Sequence, residues 1–98
     1  MENFEELIAS ETLVLVDFYA TWCGPCKTMH PILEELKKIK GAALRIVKID
    51  VDKNDRLASH WHVQSIPTMM LFRNSKMLWR QSGAMSLEQL KNNIAKYE

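Results

Sequence analysis

With only 2 cysteines, 3 glycines and 3 prolines among 98 residues, a disulfide-scaffolded secreted module, a collagenous repeat and a Pro/Gly-rich disordered chain are all excluded. The longest unbroken aliphatic run, Leu13 to Val16, is far short of the ~20 apolar residues needed to cross a bilayer, so no membrane contact is expected. The 13 basic and 12 acidic side chains leave a net charge of +1. No run of one sign accompanies it, and a nucleic-acid partner is not expected. Nothing repeats with a period of roughly 20 to 50 residues, and no Pro, Gly or Ser cluster divides the chain. Residues 1–98 are therefore expected to form a single domain, since halves of this length could not each bury a core. The opening Met1-Glu2-Asn3-Phe4-Glu5-Glu6 is acidic and lacks the apolar stretch of a signal peptide, which predicts a cytoplasmic protein. A monomer is the expected state.

What is present is a normal globular balance, 47% hydrophobic and 26% charged, arranged in alternating patterns. Asn3 can cap a short helix over about 3–10, with Glu6 reaching back and Phe4, Leu7 and Ile8 on one face. Leu13 to Ala20 is continuously apolar apart from Asp17, the mark of a central strand covered on both faces. From Gly24 to Lys40 the apolar residues Met29, Ile32, Leu33, Leu36 and Ile39 keep helical spacing, Pro31 is expected to kink the helix, and Gly41 offers a left-handed stop. Leu44 to Val51 is a second apolar strand, so residues 13–51 read as a right-handed βαβ unit with parallel pairing. A short helix over 54–60 follows, with Leu57, Ala58 and Trp61 on one side. Pro67 can only open a strand. Strands over 68–73 and 76–82 flank Asn74-Ser75 as a hairpin, although Ser is weaker than Gly at the positive φ such a turn needs. Met69, Met70, Phe72 and Trp79 read as core or hairpin packing. Ser86 and Gln89 make a capping box for a last helix with Leu87, Leu90, Ile94 and Tyr97 on one face. The fold class is α/β, a mixed four-stranded sheet flanked by helices.

The chemistry concentrates at Cys23-Gly24-Pro25-Cys26, where a central strand hands over to a long helix. The first sulfur there lies beside unpaired backbone N–H groups at the positive end of the helix dipole. Such surroundings bring a thiol from near ~8.5 to roughly 3.5 to 7.5, so Cys23 is the candidate nucleophile, facing solvent. Cys26, one turn deeper, suits the resolving thiol. A zinc site that adds His30 to Cys26 is the rival reading. It lacks a fourth ligand, because His60 and His62 stand in a distant segment and there is no second C-x-x-C. Two buried structural thiols is the bland alternative.

At this point Val16-Asp17-Phe18-Tyr19-Ala20-Thr21-Trp22-Cys23-Gly24-Pro25-Cys26-Lys27 resembles the active-site stretch of the thioredoxin family. The resemblance extends to Met29-His30-Pro31-Ile32-Leu33, Lys48-Ile49-Asp50-Val51-Asp52, Ile66-Pro67-Thr68 and Gly83-Ala84, in family order over nearly the whole chain. It implies the thioredoxin fold and a protein-disulfide reductase with no bound cofactor and no metal. Its electrons would come from NADPH through a thioredoxin reductase, and its other partners would be protein disulfides. The Gly-Pro pair is similar to that of reducing members, unlike the Pro-Tyr of glutaredoxins or the Gly-His of disulfide isomerases. By its rarity as a buried group, Asp17 alone reads as a carboxylate facing water at a strand end. The resemblance instead places it beneath the active site, assisting deprotonation of Cys26 with Lys48 nearby. Proline base rates alone make Ile66-Pro67 trans, whereas the resemblance implies a cis bond facing the cysteines and a substrate-pairing backbone at Ile66. Trp22, Gly24, Pro25, Val51, Gly83 and Ala84 would complete a flat apolar surface around Cys23, with Trp22 partly exposed.

Several residues depart from the family pattern. The sequence starts at the first helix, without the extra N-terminal strand of many members, so four strands are expected. Tyr19 stands where tryptophan is usual, Trp61-His62 where Tyr-Gly is frequent, and Ser65 and Ser75 where glycine is frequent. Ser65 and His62 lie beside the expected substrate groove, which points to an unusual substrate set. Two further function classes stay open at this level. One is a binding module that docks proteins at Ile66 and Pro67 without redox chemistry; the other is a disulfide donor or isomerase on the same fold.

Overall fold

Alternation along the first long strand explains the architecture. In the computed structural model, which describes residues 3–98, the chain runs α1 (Phe4–Ile8), β1 (Leu13–Tyr19), α2 (Gly24–Lys40), a 3₁₀ turn (Gly41–Ala43), β2 (Leu44–Asp50), α3 (Asp55–His60), β3 (Thr68–Arg73), β4 (Lys76–Ser82) and α4 (Leu87–Ala95). The sheet order is β2-β1-β3-β4. β1 pairs parallel with β2 and antiparallel with β3, which pairs antiparallel with β4. Successive side chains of a strand point to opposite faces. Leu13 and Leu15 of β1 pack with Met29, Leu33 and Leu36 of α2 and with Leu90 and Ile94 of α4. Val14, Val16 and Phe18 pack on the other face with Ile8, Met70 and Phe72, against Phe4, Leu57 and Trp61 from the α1 and α3 side. Two covered faces are why β1 is apolar apart from Asp17. They also put Asp17 in the Leu13–Leu15 series, on the face that α2 covers.

Element ends differ from the sequence expectation by one or two residues, each for a local reason. α1 stops at Ile8 because the Ile8 and Ser10 carbonyls accept from the N–H groups of Ser75 (2.8 Å) and Asn74 (2.9 Å) in the hairpin turn. β1 stops at Tyr19 because the Ala20 carbonyl turns to accept from the Cys23 N–H at 3.2 Å. α2 runs unbroken through Pro31 from Gly24 to Lys40. The Ser86 capping box on α4 is formed in both directions, Gln89 N–H to Ser86 Oγ and Ser86 N–H to Gln89 Oε1.

The hairpin is closed by two residues of positive φ, Asn74 (51°) and Ser75 (68°). An L-residue pays roughly 1 kcal/mol or more in this region and glycine does not. Both turn N–H groups are held by carbonyls at the end of α1 and just after it, so the turn conformation is imposed by tertiary contacts. Ser75→Gly is expected to raise unfolding free energy by about 0.5–1 kcal/mol, seen as a higher urea midpoint at unchanged slope. A lower midpoint would show that the Ser75 side chain contributes more than its backbone costs.

Candidate active site

α2 begins at Gly24 with Cys23 as its N-cap, in extended backbone (φ −87°, ψ 116°). Pro25 in the first turn brings no N–H of its own, so the Cys26 N–H is the donor aimed back at the cap. It reaches Cys23 Sγ at 3.2 Å. Cys23 and Cys26 are joined as a disulfide, their Cα atoms 5.2 Å apart. When the bridge opens, the same N–H and the helix dipole face a Cys23 thiolate, which is the charge state they stabilise.

The sequence expectation of a solvent-facing Cys23 needs correction: Cys23 is only 5% exposed and Cys26 2%. The cover comes from outside the motif. Tyr19, Val51 and Ile66 pack against Ala20 and the two cysteines, and the Ile66 carbonyl oxygen lies 3.8 Å from Cys23 Sγ.

The Ile66-Pro67 bond is cis, as the family resemblance implied and contrary to the expectation from proline base rates. The loop around it is pinned from β3 and β4. Thr68 Oγ1 donates to the Ser65 carbonyl at 2.6 Å and accepts from the Ser82 hydroxyl at 2.8 Å, and Gly83 N–H donates to the Pro67 carbonyl at 2.8 Å. That bond, made at a Gly83 φ of 96°, places Gly83 beside Pro67 with Ala84 exposed next to it. Upstream, the Arg80 guanidinium forks onto the carbonyls of Trp61 (2.5 Å) and His62 (2.7 Å), holding His62 at φ 56°. The two departures His62 and Ser75 thus occupy conformations that glycine adopts freely. Ser65 is not among the residues of positive φ, so its hydroxyl costs the backbone nothing.

Trp22 is 69% exposed beside exposed Gly24 and Pro25, and its indole Nε1–H donates to Asp52 Oδ2 at 2.8 Å. From sequence Asp52 stands only within the family-like stretch Lys48-Ile49-Asp50-Val51-Asp52, with no role of its own, because an acidic residue in a turn normally reads as solvated. Held by this bond, the indole lies as a fixed apolar surface next to Cys23.

Asp17 does not face water at a strand end, as its residue type alone suggested; it is 1% exposed and its Oδ1 has no hydrogen-bond partner. Burial pushes its pKa up from 3.8 to about 6, with the Lys48 charge opposing. Lys48 is half-buried, opposite Asp17 in the β1–β2 register. Its Nζ is hydrogen-bonded to His30 Nδ1. His30, the residue weighed as a zinc ligand, thus turns to Lys48 and to the edge of Tyr19, ring centroids 6.1 Å apart. Among the described residues no three His, Cys, Asp or Glu side chains gather as metal ligands.

The thioredoxin family model matches residues 1–96. The chain is 44% identical over 88 residues to the thioredoxin of Listeria monocytogenes and 43% identical over 88 residues to that of Bacillus subtilis, covering 90% of this chain and 85% of each relative. It is 44% identical over 93 residues to the chloroplastic thioredoxin Y of Oryza sativa, covering 94% of this chain but 55% of that longer protein. A Cys23–Cys26 disulfide at the start of α2, a cis-proline loop against it, a buried acid on β1 and a family match over residues 1–96 agree: the chain belongs to the thioredoxin family of thiol–disulfide oxidoreductases.

Proposed function

We propose that this chain reduces disulfides in protein substrates through Cys23-Gly24-Pro25-Cys26. The observation that supports it best is the Cys23 sulfur at the N-cap of α2, 3.2 Å from the Cys26 N–H and 3.8 Å from the Ile66 carbonyl. Cys23 thiolate attacks one sulfur of the substrate disulfide, and the other leaves as a thiolate and takes a proton. Asp17 carboxylate accepts the Cys26 proton, with Lys48 nearby. Cys26 thiolate then attacks Cys23 Sγ of the mixed disulfide, and the substrate departs with two electrons as a dithiol. The Ile66 and Pro67 backbone pairs with the extended substrate segment, while Trp22, Gly24, Pro25, Val51, Gly83 and Ala84 cover its apolar side chains. No cofactor stays bound. A thioredoxin reductase using NADPH restores the dithiol. This direction of flow needs a reducing compartment, for which the cytoplasm is our proposal.

The equilibrium reduction potential of the pair tests the direction. It is titrated in thiol/disulfide buffers and followed by thiol trapping and by Trp22 fluorescence. A value clearly more reducing than the glutathione couple is expected, about 30 mV corresponding to 1.4 kcal/mol. A value on the oxidising side would move the chain to disulfide donation or isomerisation. Failure to cycle at all would leave a binding module that uses the Ile66-Pro67 groove.

A further inference from the structure

Lys48 and Asp17 are register partners on adjacent strands, the arrangement in which an ammonium and a buried carboxylate ordinarily pair. Asp17 Oδ1 nevertheless has no partner, and Lys48 Nζ bonds to His30 Nδ1 instead. An ammonium has three donors and no acceptor, so Nδ1 is the acceptor and the imidazole proton sits on Nε2. His30 lies one turn beyond Cys26 on α2, so the two share a helix face. Its ring is steadied by the edge contact with Tyr19, which follows Asp17 by two residues on the same face of β1.

The other charged groups around this contact are few. On α2, Glu34 and Lys37 line a shallow hollow of about 200 Å³ together with Lys48. On β2, Asp50 is buried, and its Oδ1 is engaged by the N–H groups of Asp52 and Lys53. β3 brings only Met69 opposite Asp17, and the start of α2 brings the two cysteines.

We propose that His30 is a positioning residue for the resolving half-reaction: it draws the Lys48 ammonium toward α2, leaving Asp17 Oδ1 without a partner and the carboxylate basic enough to take the Cys26 proton. This rests on Asp17 being the proton acceptor in the proposed mechanism. A carboxylate paired with Lys48 is a weaker base, so losing the imidazole acceptor by substitution lets the ammonium swing to Asp17 and weakens it.

The Asp17 carboxyl carbon, ¹³C-labelled and followed by NMR through a pH titration of the reduced protein, reads this directly. His30→Ala is expected to lower its midpoint by about 1 pH unit. His30→Gln, which keeps an acceptor on a side chain of similar reach, stays near the wild type. The acid limb of substrate release from the mixed disulfide moves down with the midpoint in His30→Ala. In a Lys48→Met background, His30→Ala moves nothing. An unchanged or raised midpoint in His30→Ala, or an equal fall without Lys48, overturns the proposal. Failure of the underlying mechanism looks different: Asp17→Asn would then release substrate at the wild-type rate, whatever the carboxyl titration shows.

Discussion

Cys26→Ser is expected to turn the protein into a trap, and Cys23→Ser to make it inert. Incubated with an oxidised protein substrate, Cys26→Ser forms the Cys23 mixed disulfide and stops there, because no second thiol attacks the bond. The adduct appears on non-reducing gels and disappears with a small thiol. Cys23→Ser forms no adduct, since Cys26 is 2% exposed and lies one turn inside α2, whereas Cys23 is the sulfur that the Ile66 carbonyl approaches, at 3.8 Å. Both variants lose multiple turnover by on the order of 10³-fold or more, the scale of removing a nucleophile from a unit that acts together. Neither change makes a cavity larger than the difference between sulfur and oxygen. Adduct formation by Cys23→Ser would reverse the roles assigned to the two sulfurs. Equal and undiminished function of both variants in a partner-binding assay would favour the binding module.

Asp17→Asn is expected to slow the chemistry and stabilise the fold together. A carboxyl whose pKa is raised from 3.8 to about 6 by burial binds its proton more tightly when folded than when unfolded. Between about pH 4 and 6 the unfolded chain therefore holds fewer protons, and stability falls as pH rises through this window. Above it the loss is complete and amounts to about 3 kcal/mol at 1.36 kcal/mol per pH unit. Asparagine is close in shape to the protonated acid and never ionises. Urea unfolding of Asp17→Asn is thus expected to match the wild type near pH 4 and to exceed it by about 2–3 kcal/mol at pH 7. Release of reduced substrate from the mixed disulfide slows by about 10²-fold at neutral pH, the low end of general base catalysis. A stability gain that is the same at both pH values would assign the effect to packing and not to the buried charge.

These two results bear on different layers of the molecule, and the sequence exposes the layers unequally. Cys23-Gly24-Pro25-Cys26 is legible because its meaning is local. Proline in the first turn and a cysteine at the N-cap give the Cys26 N–H one sulfur to point at, and no distant residue is needed for that. The elements are legible for the same reason: Leu13 to Phe18 is apolar apart from Asp17, and α2 shows its period over 17 residues. The closing helix carries its own capping box. Element ends are less so, since α1 is cut short by N–H groups from residues 74 and 75, far away in the chain.

Asp17 shows where local pattern stops. Alternation puts it on the face of β1 that α2 covers, yet a carboxylate at a strand end more often meets water, and only the packed helix removes that water. Lys48 is likewise an ordinary strand lysine until the β1–β2 register sets it across from Asp17 and α2 brings His30 to its ammonium. Trp22 and Asp52, 30 residues apart, meet because β1 and β2 end side by side. The solvent-facing Cys23 of the sequence expectation is buried by Val51 and Ile66, which arrive from β2's end and the loop before β3. By itself, then, the sequence determined the α/β order, the four strands and the position of the dithiol, because each follows from periodicity, capping and turn chemistry within a few neighbouring residues. Only the tertiary structure decided the partner of Lys48 and the cover over Cys23, while the burial of Asp17 and the cis bond before Pro67 were implied by the family resemblance and by no local pattern. Desolvation, charge pairing and backbone isomer are set by whatever packs against a group, and those neighbours come from remote parts of the chain.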